Sequence, residues 1–233
     1  MSPIYKSDDR RKCENDRPIS ILPIIRKVFE KEVFGKIYRY LTENSLLSNL
    51  QSGFSPKYST MSVLIQMCDE WIENMDDGKL TGVVFLDIQK AFDSINHNIL
   101  LKKMNDYFGI SCPELKWFES YLTNREQVYS VNGQTSSSGK IICGVPQGSI
   151  LGALVFLLYI NDIPDCLKST TPCLYADDTE IFSSSNDFTE IIGNLNSDLN
   201  NIRNWLVKNK LQHHPTKSKL MFIGSSCNLN NSL

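Results

Sequence analysis

The sequence predicts an α+β protein, a twisted antiparallel sheet backed by helices on one face, with a helical first third as a separate subdomain. Three observations carry this reading. From residue 81 onward, short β-prone runs alternate with longer stretches of helical spacing. Two of the β-prone runs, Cys173-Leu174-Tyr175-Ala176 and Thr179-Glu180-Ile181-Phe182, flank an acidic pair and read as a hairpin. Before residue 81 the periodic segments are all helical.

Residues 1–17 read as irregular. Ser20 to Asn44 reads as a helix, with Pro23 in its first turn and Ile25, Phe29, Val33, Ile37 and Leu41 sharing a face. Residues 46–58 are loop-like, with Gly53 and Pro56. Ser59 or Thr60 then caps a second helix carrying Val63, Leu64, Met67, Trp71 and Met75 and ending near Gly78. A strand follows at 81–87. Asn98 to Phe108 and Pro113 to Thr123 read as helices. Gln127 to Val131 and Lys140 to Cys143 read as strands joined through Asn132-Gly133. Residues 149–163 form an apolar helix that leads to the strand pair around the acids. Asp187 to Lys208 is helical, with Ile191, Leu195, Leu199, Ile202 and Leu206 in register, and Lys219 to Ile223 is the last strand. The polar tail from Ser225 to Leu233 reads as frayed.

Length and composition narrow the class. The 233 residues can bury a sizeable core, and the hydrophobic (41%) and charged (21%) fractions are those of a globular protein. No run of about 18 apolar residues exists, so no membrane partner is expected. The N-terminus lacks the apolar core of a secretory signal, which predicts an intracellular protein, nuclear or cytoplasmic and not secreted. Seven cysteines without C-x-x-C spacing fit a reduced compartment and indicate neither a disulfide framework nor a zinc site. His213 and His214, near Cys227, match no zinc module. The net charge of −2 argues against simple electrostatic nucleic-acid binding. Residues 1–40 nevertheless carry ten Lys and Arg against six Asp and Glu, including Arg10-Arg11-Lys12, Arg17, Arg26-Lys27 and Arg39. Such a stretch can grip phosphates or simply be a solvated helix face.

Three aspartates point to chemistry. Asp87 closes the apolar run Val83-Val84-Phe85-Leu86, so a buried strand delivers a carboxylate at its end. Asp177 and Asp178 stand together at the hairpin. Adjacent carboxylates repel, and hard oxygen ligands suit Mg²⁺. Carboxylates from two strands can hold two metals about 4 Å apart for in-line phosphoryl transfer. Asp-Asp at a turn is also ordinary turn chemistry, and Asp87 can cap a following helix.

Several pieces in order carry a more specific signal: Asn15-Asp16-Arg17-Pro18-Ile19-Ser20, Gln51-Ser52-Gly53-Phe54, Phe85-Leu86-Asp87 with Lys90-Ala91-Phe92-Asp93, and Gly144-Val145-Pro146-Gln147-Gly148-Ser149. Phe156-Leu157-Leu158-Tyr159-Ile160-Asn161-Asp162 and Tyr175-Ala176-Asp177-Asp178-Thr179 follow. On these the chain resembles the reverse transcriptase domain of non-LTR (LINE-type) retrotransposons, nearest the jockey-like branch, over residues 15–224.

The resemblance implies a right-hand polymerase: an N-terminal extension and helical fingers at 1–80, a palm at 81–224 with a fingers insertion at about 96–143, and a tail at 225–233. It implies RNA-directed DNA synthesis with two Mg²⁺ ions, Mn²⁺ being an alternative, and with an RNA template, a DNA primer and deoxynucleoside triphosphates as partners. Asp87, Asp177 and Asp178 are then the catalytic and metal-binding carboxylates, Asp178 the least essential, with the Ile88 carbonyl as a further ligand. Phe92 becomes a steric gate against a 2′-hydroxyl, and Ala91 lies with it in the nucleotide site. Pro146, Gln147 and Gly148 lie beside the incoming nucleotide, Arg17 contacts template or phosphate, and Lys217 protonates the leaving pyrophosphate. Taken singly, these residues read as a core phenylalanine, a turn, a surface ion pair and a solvated lysine.

The chain departs from the family pattern at Ser55, where an arginine is usual and Lys57 is a partial substitute, at Ala153, where proline is usual, and at His214, where asparagine is frequent. Primer grip, thumb, zinc knuckle and endonuclease are expected to be absent, so the chain reads as a fragment or an inactive copy. The competing readings are a non-catalytic nucleic-acid-binding remnant, an interaction protein on a borrowed palm fold, and a relative of group II intron maturases. The sequence leaves the oligomeric state open.

Overall fold

The structure, a computed structural model, describes residues 1–6, 9, 11–12, 15–54, 59–214 and 216–232. Arg10, Cys13, Ser55, Pro56 and Lys57, which entered the sequence reading, lie outside the described residues. In chain order the elements are β1 (Ser2–Tyr5), β2 (Asp16–Ile19), α1 (Ile24–Glu43), α2 (Thr60–Asp76), β3 (Leu80–Asp87), α3 (His97–Asp106) and α4 (Glu114–Leu122). Then come β4 (Arg125–Gln127), β5 (Ser130–Val131), β6 (Gln134–Thr135), β7 (Gly139–Ile141) and α5 (Ile150–Ile160). The last are β8 (Thr171–Tyr175), β9 (Asp178–Ser185), α6 (Phe188–Lys208), β10 (Lys219–Ile223) and α7 (Ser226–Ser232). Two compact units form, Met1–Leu46 with Phe92–Tyr159, and Leu47–Ala91 with Ile160–Leu233. The class is α+β, as expected.

In the first unit α5 is the core helix. Leu151, Leu154, Val155, Phe156, Leu158 and Tyr159 have no exposed surface, as an all-apolar helix requires. Lys103 of α3 is buried and donates to the Tyr159 carbonyl at 2.7 Å, so its charged end is satisfied inside. Residues 1–17, expected to be irregular, instead supply β1 and part of β2, an antiparallel pair running from Ser2↔Ile19 to Tyr5↔Asp16. Helix α1 therefore starts at Ile24 rather than Ser20, after Pro23 at the cap position. Its predicted apolar face is also corrected: Ile25 and Phe29 are 81% and 56% exposed, whereas Leu41 and Glu30 are buried. The predicted pairing of Gln127–Val131 with Lys140–Cys143 resolves into two ladders. Arg125–Gln127 pairs with Gly139–Ile141, while β5 and β6 turn tightly at Asn132-Gly133. Both turn residues have positive φ, +49° and +79°, the geometry that suits a two-residue hairpin.

The second unit is built on a four-stranded antiparallel sheet of order β10-β3-β9-β8. Helix α2 begins at a capping box between Ser59 and Ser62, and α6 at Asp187, whose carboxylate accepts from the Thr189 amide at 2.8 Å. Asn194 of α6 donates to Ser183, while Trp71 of α2 meets Phe182 edge-on at 6.3 Å. Successive residues of a strand point to opposite faces. The sheet thus carries a helix on each face, not helices on one face only. Asp198 of α6 is fully buried and gathers the amides of Lys168, Ser169 and Thr170, the Thr170 hydroxyl and Asn201 at 2.8–3.1 Å. These donors hold the Asp198 carboxyl below its ordinary value, although burial alone would raise it. The tail expected to fray carries α7, and Asn228 there donates to the Gly78 carbonyl at 2.8 Å. Among the described residues no helix is long and apolar enough to cross a membrane.

Candidate active site

Asp87 ends β3, Asp178 begins β9, and the register makes them direct cross-strand partners. Partners across a ladder share a face with Cβ atoms on the order of 5 Å apart, so two carboxylates remote in sequence converge. Tyr175 pairs with Asp178, which leaves Ala176 and Asp177 as the bend. The hairpin predicted at the acids is therefore present, with Asp178 in the strand rather than at the tip. Asp87 does not cap a long helix: a 3₁₀ turn, Ala91–Asp93, follows, and α3 is capped by Asn96.

Beyond β3 the segment 212–214 continues the pairing. Gln89 donates to the Gln212 carbonyl at 2.8 Å, His214 donates to the Asp87 carbonyl at 2.7 Å, and Ile88, itself buried, bridges to His213. This brings Lys217 Nζ to 3.4 Å from Asp87 Oδ2. With side chains 45% and 28% exposed, the pair contributes about 1 kcal/mol or less to stability. Two residues past Asp178 on the same face lies Glu180. Burial and the neighbouring Asp178 charge raise its carboxyl, and burial with Glu180 beside it pushes the Cys173 thiol up to about 12.

The donor chemistry suits a hard divalent cation: Asp87 and Asp178 face each other with Asp177 adjacent, and like charges across a ladder are unfavourable without a counter-charge. Among the described residues no three His, Cys, Asp or Glu side chains gather into a metal cage. Mg²⁺ is commonly held by one or two carboxylates together with water and substrate phosphates, so a pair is an adequate protein share.

The remaining predicted residues lie mostly in the first unit. Phe92 is half-buried and stacks on Phe156 at 4.7 Å between ring centroids. Its carbonyl accepts from Val145 at 2.9 Å, which ties the segment after β3 to the one before Pro146. Gln147 Nε2 donates to both carboxylate oxygens of Asp93 at 3.1 Å, and its carbonyl accepts from Ser20 at 2.9 Å. Gly148 has φ +98°, a conformation that side chains resist. Ile19 bridges to Gln147, so the strand bearing exposed Arg17 runs up to the Pro146-Gln147-Gly148 loop. Ala91, buried, closes the second unit's β3 stretch.

Sequence reasoning missed three residues. Asp93 anchors Gln147. Glu30, 1% exposed, accepts from Arg26, Tyr121, the Ser149 hydroxyl and the Ile150 amide at 2.8–3.2 Å, so it caps α5 directly behind the loop. Burial would raise this carboxyl, but the donors from Ser149, Arg26 and Ile150 bring it below its ordinary value. Gln51 bonds the amide and carbonyl of Ala176, the residue before Asp177. Gln51 and Asp93 stood in segments that the sequence marked, whereas Glu30, an acid among the apolar positions of α1, gives no signal of its own.

A profile of the family described as reverse transcriptase (RNA-dependent DNA polymerase) matches residues 4–229, and the chain belongs to that family. It is a reverse transcriptase domain of the non-LTR, LINE-type kind. The probable RNA-directed DNA polymerase from transposon BS of Drosophila melanogaster is 29% identical over 88% of this chain and 23% of its own length. The RNA-directed DNA polymerase from mobile element jockey of the same fly is 30% identical over 81% of this chain and 21% of its own length. The chain thus spans roughly a fifth of these relatives. The structure of apo telomerase from Candida tropicalis shares the fold, with a TM-score of 0.60 at 12% identity over 86% of this chain and 37% of that one. The family generally uses divalent metals.

Proposed function

We propose that this chain carries the catalytic centre of an RNA-directed DNA polymerase, extending a DNA primer on an RNA template from deoxynucleoside triphosphates. The observation that carries the reading is the cross-strand pairing of Asp87 with Asp178, beside the Asp177 turn and with Lys217 at 3.4 Å from Asp87. Asp87, Asp177 and Asp178, with the Ile88 carbonyl, would hold two Mg²⁺ ions, or Mn²⁺ in their place. Bound there, the ions would acidify the primer 3′-hydroxyl and offset the charge of the triphosphate.

The protein's own groups orient and exclude. Lys217, whose Nζ lies 3.4 Å from Asp87 Oδ2, is the group that would donate a proton to the leaving pyrophosphate. Phe92, fixed by stacking on Phe156, is the sugar gate, with Ala91 next to it in the chain. Gln147, oriented by Asp93, and Gly148, which permits close backbone approach, would with Pro146 be the residues beside the incoming nucleotide. Arg17, exposed, contacts template or phosphate. In this reading 1–80 is extension and fingers, 81–224 palm with a fingers insertion at about 96–143, and 225–233 a tail. The test is single-nucleotide addition on a primer–template with Mg²⁺ or Mn²⁺, beside filter binding of the same duplex. Addition abolished by Asp177→Asn supports the polymerase. Tight binding with no addition by the unaltered chain, whichever ion is supplied, would instead leave a nucleic-acid-binding protein.

A further inference from the structure

We infer that Gln51 is a positioning residue that sets the turn carrying Asp177, an assignment that rests on the catalytic reading of Asp177. Gln51 is 8% exposed, and its side-chain amide answers both backbone groups of one residue. Oε1 accepts from the Ala176 amide at 2.9 Å and from Gly53 at 2.8 Å, while Nε2 donates to the Ala176 carbonyl at 3.3 Å. Ala176 has φ +55°, a left-handed conformation that a residue with a Cβ resists and that persists only where surrounding bonds over-determine it.

The rest of the segment reinforces the clamp. Ser52 donates to the Leu174 carbonyl at 2.8 Å and Leu174 to the Leu50 carbonyl at 3.3 Å, so 50–52 runs along β8 as a short parallel partner. Ser48 is anchored by Asn161 Oδ1 at 2.8 Å. At Gly53 a Cβ would collide with the backbone of Tyr175 and Ala176, so the chain lies against the turn more closely than a side chain permits. Two stretches singled out in the sequence, around Gln51 and Asp177, thereby meet at one turn, and a third, around Asn161, holds the approach to Gln51 at Ser48. Gln51 bonds the backbone of Ala176 and Gly53, and its part is to hold Ala176 so that Asp177 leaves the bend in one direction while Asp178 stays paired with Asp87.

The test uses Gln51→Met, which keeps length and loses the bonds, and Gln51→Glu. Amide hydrogen exchange at Ala176 reports the clamp without turnover. In Gln51→Met this amide is expected to exchange about tenfold faster or more, with β9 otherwise protected. kcat for nucleotide addition should fall about a hundredfold, the cost of a displacement on the order of 1 Å, while KM for the deoxynucleotide stays within about threefold. In Gln51→Glu the carboxylate accepts from Ala176 and Gly53 but has no proton for the Ala176 carbonyl. Burial and that carbonyl raise its pKa, so addition relative to the unaltered chain should recover as pH falls. Unchanged exchange in Gln51→Met overturns the inference. If that variant unfolds, the pH profile of Gln51→Glu decides, and a profile parallel to the unaltered chain overturns it. Faster exchange at Ala176 together with full activity in Asp177→Asn would sustain the clamp and overturn the catalytic reading instead.

Discussion

Replacing Asp87 with alanine separates chemistry from stability. The side chain is 28% exposed, stands opposite Asp178 and ion-pairs with Lys217 at 3.4 Å. Removing it forfeits a half-exposed ion pair of about 1 kcal/mol or less and relieves a like-charge contact of similar size. The two nearly cancel, so stability should move by no more than about 1 kcal/mol. For a chain of this length that is roughly 2–4 °C in Tm. Nucleotide addition loses one of the facing carboxylates, and a metal-assisted charge stabilisation of several kcal/mol corresponds to about a thousandfold or more in rate. The assay is single-turnover primer extension with Mg²⁺, paired with thermal melting of the same preparations. Extension within about tenfold of the unaltered chain would refute the metal-site assignment. A fall in Tm beyond about 10 °C would show that Asp87 serves the fold first.

Three further outcomes are expected. Phe92→Ala should admit ribonucleotides, raising the ribo-to-deoxy ratio of kcat/KM by about tenfold or more, at a stability cost of about 2 kcal/mol for a half-buried ring. An unchanged ratio would leave Phe92 a packing residue. Asp198→Asn should destabilise by about 2–4 kcal/mol, since several donors lose a charged acceptor. The Asp198 carboxyl is lowered in the fold, so its contribution is present above the unfolded value near 4 and fades as pH falls through the lower folded value. The variant should therefore show a flatter acid limb, read by denaturant unfolding from about pH 2 to 6. Glu30→Ala should cost about 3–5 kcal/mol, because Ser149, Ile150 and Arg26 lose a buried charged acceptor, with chemical denaturation as the measure. A loss below about 1 kcal/mol would mean that water replaces the carboxylate there.

Much of the candidate site was legible because its signals are local. An apolar run ending in an acid makes β3 and Asp87, two β-prone arms around Asp177 and Asp178 make the hairpin, and a 3.6-residue stripe behind Asp187 makes α6, with Ile191, Leu195, Ile202 and Leu206 buried as expected. Periodicity reports what each segment can bury, and these segments bury what they offer. The order of the short motifs was likewise enough to indicate the family that the profile match bears out.

The tertiary structure alone decided which offers were taken. On α1 the apolar stripe at Ile25 and Phe29 stays exposed while Glu30 goes inside, because besides Arg26 its donors, Tyr121, Ser149 and Ile150, come from residues 91 to 120 positions away. The pairing of β4 with β7 was set by cross-strand partners rather than by the apolar content of Gln127–Val131. Gln51 shows the same limit most clearly. Its amide bonds locally to Gly53, and its place under the Asp177 turn rests on the backbone groups of Ala176, 125 residues on, that only the folded sheet brings within reach. Composition and spacing determined which elements form and which acids they carry. Satisfying buried polar groups, a requirement met only after distant segments meet, determined how those acids are held.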